Sequence, residues 1–122
     1  MKTTQEKVLN AYATLNKMSQ NPMNSFTAFK LFKLKKALQD TVDFQVEQER
    51  KIVDEFGGEI NEVGQFKIDP EKRKEFNEKL KELNGMECEI DRDKTVILMA
   101  ELKDVSLAEM EALEDFVEWK EK

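Results

Sequence analysis

The sequence predicts an α+β fold that is predominantly α, and three features carry that prediction. Residues from about 25 to 56 hold no glycine or proline and repeat apolar side chains at helical spacing. Asp69-Pro70 and Ser106-x-x-Glu109 are two explicit helix-start signals. Between them, residues 86–102 alternate apolar and polar side chains as strands do. A chain of 122 residues fits a single domain with a modest core. Its expected parts are a long-helix hairpin over 1–56 and a helix, strand pair and terminal helix over 66–122.

In chain order, the first helix should begin at Thr3 or Thr4, because Thr3 and Glu6 have the spacing of a capping box and Val8, Tyr12 and Leu15 recur at i, i+4 and i+7. It should end near Ser19. The polar turn "SQNPMNS" follows, in which Pro22 pushes Asn21 out of the helical region and Asn24 or Ser25 can cap the next helix. That second helix, about residues 25–56, is a rod of roughly 45 Å at 1.5 Å per residue. Val42, Val46, Val53 and Phe56, with Glu49 in the intervening place, keep a 4-3-4-3 spacing; Leu31, Leu34 and Leu38 begin a similar seam one register earlier. An intramolecular hairpin with the shorter first helix covers only about half of the rod. The remainder is expected to pair with another subunit. Leu31, Leu38, Val42, Val46, Val53 and Phe56 are therefore the interface candidates, and a homo-oligomer is the expected state. Phe44 and Ile52 lie off the seam, as suits a rod contacted on more than one side.

In "FGGEINEVGQF", Gly57 and Gly58 end the rod and Gly64 permits a second reversal. The glycine spacing matches neither phosphate-binding pattern and no lysine or helix start follows, so this is a turn rather than a phosphate loop. Phe66 and Ile68 alternate with polar neighbours and predict a short strand. A third helix over about 70–84 presents Phe76, Leu80 and Leu83 on one face and stops at Asn84-Gly85. Met86, Cys88 and Ile90, then Val96, Leu98, Ala100 and Leu102, separated by "DRDK", predict a β-hairpin over about 86–102; an extended segment lying on the helices is the alternative for the second half. A capped terminal helix over about 106–119 completes the chain. Ser106 and Glu109 form its capping box, Val105 and Met110 its hydrophobic staple, and Met110, Leu113 and Val117 its face, with Phe116 and Trp119 beside them. Trp119 is a further interface candidate, since a Trp near a chain end can anchor a contact.

The residue inventory excludes most enzyme chemistry. Without histidine there is no ordinary general base, no common triad and no His-ligated metal. Cys88 is the single cysteine, flanked by Glu87 and Glu89, whose charges disfavour a thiolate; a structural thiol in a reducing compartment is expected. Asp91 and Asp93 begin like a calcium loop, but Val96 and Leu102 stand where its glycine and final glutamate belong. The one enzymatic reading uses carboxylates alone. Glu75 and Glu78, with Glu111, Glu114, Asp115 and Glu118, could hold magnesium at helical i, i+3 spacing, as in all-α nucleotide pyrophosphohydrolases. No cofactor is otherwise implied. No apolar run is long enough for a bilayer and "MKTTQEKVLN" lacks the apolar stretch of a signal peptide, so a cytoplasmic protein without a membrane partner is expected.

Charge is divided unevenly. Residues 1–38 carry seven lysines against Glu6, a net +6, so with −6 for the whole chain the remainder carries −12. Lys30, Lys33, Lys35 and Lys36 in "KLFKLKK" are candidates for binding a small anion, or simply the wet side of an amphipathic helix facing acidic surface of this chain or a second copy. Nucleic acid is not expected, because the acidic remainder repels phosphate and the run has no arginine.

With the rod "FKLFKLKKALQDTVDFQVEQERKIVDEFGGE", the pattern L-x-x-L-N at Leu80, Leu83 and Asn84, and the finish at Val105, Ser106, Glu109, Ala112, Leu113 and Glu114, the chain resembles a widespread group of small uncharacterised proteins encoded by tailed bacteriophages and prophages; "DRDKTVILMAEL" departs from a pattern that often has proline there. These are packing and capping signatures, and the resemblance carries no functional residues. It implies a phage-encoded interaction or accessory protein, in the host cytoplasm, that works by helix-mediated homo-oligomerisation or by binding a phage or host protein. The alternatives are a counter-defence protein sequestering a nucleotide-like anion and the magnesium-dependent hydrolase.

Overall fold

Thr4 opens the first helix. In the computed structural model, which describes residues 1–121, its hydroxyl accepts the Lys7 N–H at 3.3 Å, while Thr3 lies in strand β1 (Lys2–Thr4) just before it. Helix α1 (Gln5–Met18) is capped by Ser19, and Asn24 Oδ1 then accepts the Thr27 N–H at 2.9 Å to start α2 (Ser25–Glu55). The inner face of α2 buries Leu31, Leu34 and Leu38 against Val8, Ala11, Leu15 and Met18 of α1. Ile90, Ile97, Leu113, Phe116 and Val117 complete this main core.

At the far end of α2 a smaller cluster forms. Gly57 turns the chain at φ +66°, and Gly58 lets β2 (Glu59–Ile60) meet β3 (Phe66–Lys67) as an antiparallel pair. A Cβ on Gly58 would lie 2.6 Å from the Lys67 carbonyl, so no larger residue fits. Asp69 accepts the Glu71 N–H and opens a 3₁₀ turn (Pro70–Lys72) that leads into α3 (Arg73–Asn84). Phe76 of α3 is fully buried, edge-on to Phe56 at 5.9 Å and to Phe66 at 5.7 Å. Gln45, buried on α2, donates to Asn84 Oδ1 at 2.8 Å. The distal half of the rod is thus covered by α3 and the β2–β3 pair of the same chain, not left for another subunit along its inner face.

Two further expectations, both in the last third of the chain, need correction. No hairpin joins the alternating segments at 86–102: β4 (Glu87–Glu89) pairs antiparallel with β1, and β5 (Thr95–Leu98) pairs parallel with β6 (Val117–Lys120). Ala100 lies in a 3₁₀ turn (Met99–Glu101) instead. A parallel pair needs a crossover of roughly a dozen residues or more, and the stretch between β5 and β6 supplies it. The second correction follows from the first. Helix α4 spans only Leu107–Ala112; the Phe116 and Val117 N–H groups both return to the Leu113 carbonyl, at 2.9 and 2.8 Å, and the chain then extends. Phe116, Val117 and Trp119 favour a pleated, half-buried surface, and the ladder to Thr95–Leu98 outweighs the helical spacing that Met110, Leu113 and Val117 also satisfy. The capping box itself is present, with Glu109 N–H donating to Ser106 Oγ at 3.1 Å and Ser106 N–H to Glu109 Oε1 at 2.9 Å. At 57% helix with small strand pairs, the fold is α+β and predominantly α. None of the helices is long and apolar enough to cross a membrane, among the described residues.

Candidate docking face on the long helix

Helical geometry, about 100° per residue, separates the residues of α2 into an inner stripe and an outer stripe. Thr27, Leu31, Leu34, Leu38, Gln45 and Val53 face inward and are buried. The opposite stripe of the first half holds Phe26, Phe29, Phe32, Lys33 and Lys36, all exposed. The three phenylalanines are 82%, 49% and 60% exposed, which is far from the usual fate of so apolar a side chain. Phe29 and Phe32 meet edge-on at 6.5 Å. Lys33 Nζ lies 4.7 Å from the Phe29 ring centroid and Lys36 Nζ 6.0 Å from that of Phe32, each folded back on the ring one turn earlier. The ammonium groups remain at the surface, ringed by aromatic carbon.

Phe32 also borders a groove of about 400 Å³ at the corner between α1 and α2, lined by Leu15, Met18, Met23, Leu31 and Lys35. A second groove of about 600 Å³ continues across Met18, Pro22 and Met23 to Glu101 and Lys103. There the Thr27 hydroxyl donates to Glu101 Oε2 at 2.8 Å and Lys30 Nζ reaches the same carboxylate at 3.3 and 3.4 Å. The Thr27 bond, helped by the Lys30 ammonium, holds the Glu101 carboxyl below its ordinary value.

The candidates named from the sequence separate sharply. Leu31, Leu38 and Val53 are buried within the chain, so their seam is an intramolecular one. Val42 and Trp119 pack partly buried against the main core, Phe56 lies against Phe76, and Val46 alone of that set is widely exposed, at 48%. Glu49, in the intervening place, is half-buried, and burial pushes its carboxyl up. Of the four lysines, Lys30 is tied to Glu101, Lys35 lies over the Tyr12 ring at 5.4 Å, and only Lys33 and Lys36 share the outer face. They do not converge on one pocket. The phenylalanine stripe went unread in the sequence, although Phe26, Phe29 and Phe32 at i, i+3, i+6, opposite the leucine seam, signal it.

Elsewhere the chemistry is sparse. Burial, not the adjacent glutamates, pushes the Cys88 thiol up. Because α4 ends at Ala112, Glu114, Asp115 and Glu118 do not share a helix face with Glu111, and no group of three acidic or cysteine side chains gathers as a metal site among the described residues. No family model, no curated protein and no solved structure matches the chain.

Proposed function

We propose that this is a non-catalytic interaction protein whose working surface is the aromatic–lysine face of α2. One observation supports the reading above all: three large phenylalanines stand exposed in a row on a helix whose opposite side already fills the core. Folding gains little from them there, and an exposed apolar patch of this kind suits a polypeptide contact. Aromatic carbon with lysine at its rim supplies both area and charge recognition, the usual division between anchor and rim. The resemblance to phage and prophage proteins suggests a setting for such a module, as an accessory protein that pairs with itself or with a phage or host polypeptide. Sequestration of a small anion is the weaker reading, since Lys30 is engaged by Glu101 and Lys35 alone of the four lines the corner groove.

A photo-crosslinking side chain placed at Phe29 tests the reading in the producing cell. Discrete crosslinked species are expected from Phe29, and none from Val63, an apolar position on the β2–β3 loop that is more exposed still. Absence of crosslinks at Phe29, or identical products from both positions, overturns it.

A further inference from the structure

The outer stripe of α2 does not end with the lysines. It runs on, exposed, through Asp40, Asp43, Phe44, Glu47, Arg50, Lys51 and Asp54. The two halves of the rod are electrical opposites: residues 25–38 carry four lysines and no acid, while residues 39–55 carry six acids against Arg50 and Lys51. Over the whole rod the formal charges are +4 and −4; on the outer stripe they are +2, from Lys33 and Lys36, and −2, from Asp40, Asp43, Glu47 and Asp54 against Arg50 and Lys51. A parallel copy of such a rod would set like charge on like, whereas an antiparallel copy sets each half on its complement twice, once at each end of a two-fold axis.

We infer that the occupant of the docking face is the same face of a second copy of this chain, paired antiparallel. This rests on the reading of the face as a polypeptide contact and names its partner. Lys33 and Lys36 lie against Asp40, Asp43 and Glu47 of the partner subunit, and the same contact recurs with the subunits exchanged. Phe29 and Phe32 of one copy, with Phe44 of the partner subunit, supply the apolar area beneath these charges. The elements packed on α2, namely α1, α3, β2 and β5, leave its outer stripe exposed, and its buried residues are those of the inner stripe. The full length of the rod, about 45 Å, is available to the pairing. An anionic membrane surface would also attract phenylalanine and lysine, but the acidic half of the same exposed stripe would be driven from it. A foreign acidic segment would satisfy the basic half and leave the acidic half without a counterpart.

Charge reversal tests the pairing, with oligomeric mass read by sedimentation velocity across the micromolar range. The wild-type chain is expected to sediment as twice its 14.3 kDa at low salt, and to dissociate as salt rises. Lys33→Glu with Lys36→Glu places acids on acids, and Asp40→Lys with Asp43→Lys places bases on bases. Each double variant should lose about a hundredfold or more in self-affinity. Mixed in equal amounts, the two should reassociate, because each supplies the charge the other now lacks. All four positions are exposed, and unchanged circular dichroism verifies the fold. Overturning results are a wild-type monomer throughout, variants that still dimerise, or a mixture that stays monomeric. A wild-type monomer that nevertheless crosslinks through Phe29 to another polypeptide, or that binds anionic vesicles, rejects the second copy; the vesicle result also rejects the polypeptide reading, so the two failures are distinguishable.

Discussion

The two halves of α2 solve the same burial problem and present opposite surfaces. In the first half Leu31, Leu34 and Leu38 enter the main core with α1, and in the second Gln45 and Val53 face α3 and the β2–β3 pair. On the outside the first half offers Phe26, Phe29, Phe32 and lysines, and the second offers mostly acids. The difference separates what the fold requires from what the surface is for. Inner positions of both halves are apolar, or polar with at least one hydrogen bond, because burial penalises an unpaired polar side chain. Outer positions are under no such constraint, so a row of aromatics on one half and its absence on the other points to contact rather than stability.

The largest test of that separation is on α3, in the cluster that covers the second half. Phe76→Ala removes a fully buried ring held between Phe56 and Phe66 and should cost about 3–5 kcal/mol, read as a fall in the urea midpoint. Leu34→Ala in the first half should cost about 2–5 kcal/mol by the same mechanism. If either substitution is silent, the inner stripe is not the core of its half and the comparison fails.

Gln45 offers a sharper case, because it is polar and has no exposure. Its amide donates to Asn84 while its own carbonyl oxygen has no partner. Gln45→Ala should destabilise by about 1–3 kcal/mol, since it leaves Asn84 without its bond and opens space beside α3. A double-mutant cycle with Asn84→Ala should show coupling if the bond forms in solution.

How far the sequence revealed this architecture depends on how local the governing physics is. The caps at Asn24, Asp69 and Ser106, the breaks at Gly57 and Asn84-Gly85, and the extent of α2 were all legible, because each is decided within a few residues. The partners of β4 and β5 were not. Alternation at Cys88 and at Val96 and Leu98 identifies extended chain, although Thr95 and Ile97 are the buried face of β5 and Val96 is exposed; β1 and β6, which pair with these strands, lie far away in sequence, and short alternating runs carry no address. The helical spacing of Met110, Leu113 and Val117 was a true pattern with the wrong outcome, since the β5 ladder decided the last turn. At the candidate face, the lysines were legible as a run. The phenylalanines are masked in the sequence by the leucine seam, which by itself accounts for the helix, and their position on the opposite side gains meaning from the cover that α1 gives the seam.

The Ser106 cap bears on the first half, because α4 leads into Leu113 and Phe116 of the main core. Ser106→Ala removes the side-chain acceptor for Glu109 N–H and should cost about 1 kcal/mol in thermal or urea unfolding. Glu101 links α2 to the turn after β5 through Thr27 and Lys30, and its effect depends on pH. Its carboxyl is held below the ordinary 4.5 in the folded chain, so its stabilisation is complete above that value and is lost as pH falls through the lowered one. Glu101→Gln should therefore be less stable than wild type near neutrality, and the gap should narrow in acid. A gap independent of pH would show that the carboxylate's charge contributes nothing to holding α2 against that turn.

The smallest expected effect on stability is the most informative. Phe26→Ser, Phe29→Ser and Phe32→Ser should each change unfolding free energy by no more than about 0.5 kcal/mol, because their rings lie at the surface opposite the core. Phe29 and Phe32 pack on each other and beneath Lys33 and Lys36, so the double variant should cost less than the sum of its two single effects. Phe26→Ser and Phe32→Ser should also abolish crosslinking from Phe29, since contact energy concentrates in a few aromatic anchors. If instead they unfold the protein as Phe76→Ala does, the rings belong to the fold, and the two halves of α2 differ only in charge. If they leave both stability and association unchanged, the aromatic row has no physical task in this molecule and the lysines and acids must carry any pairing alone.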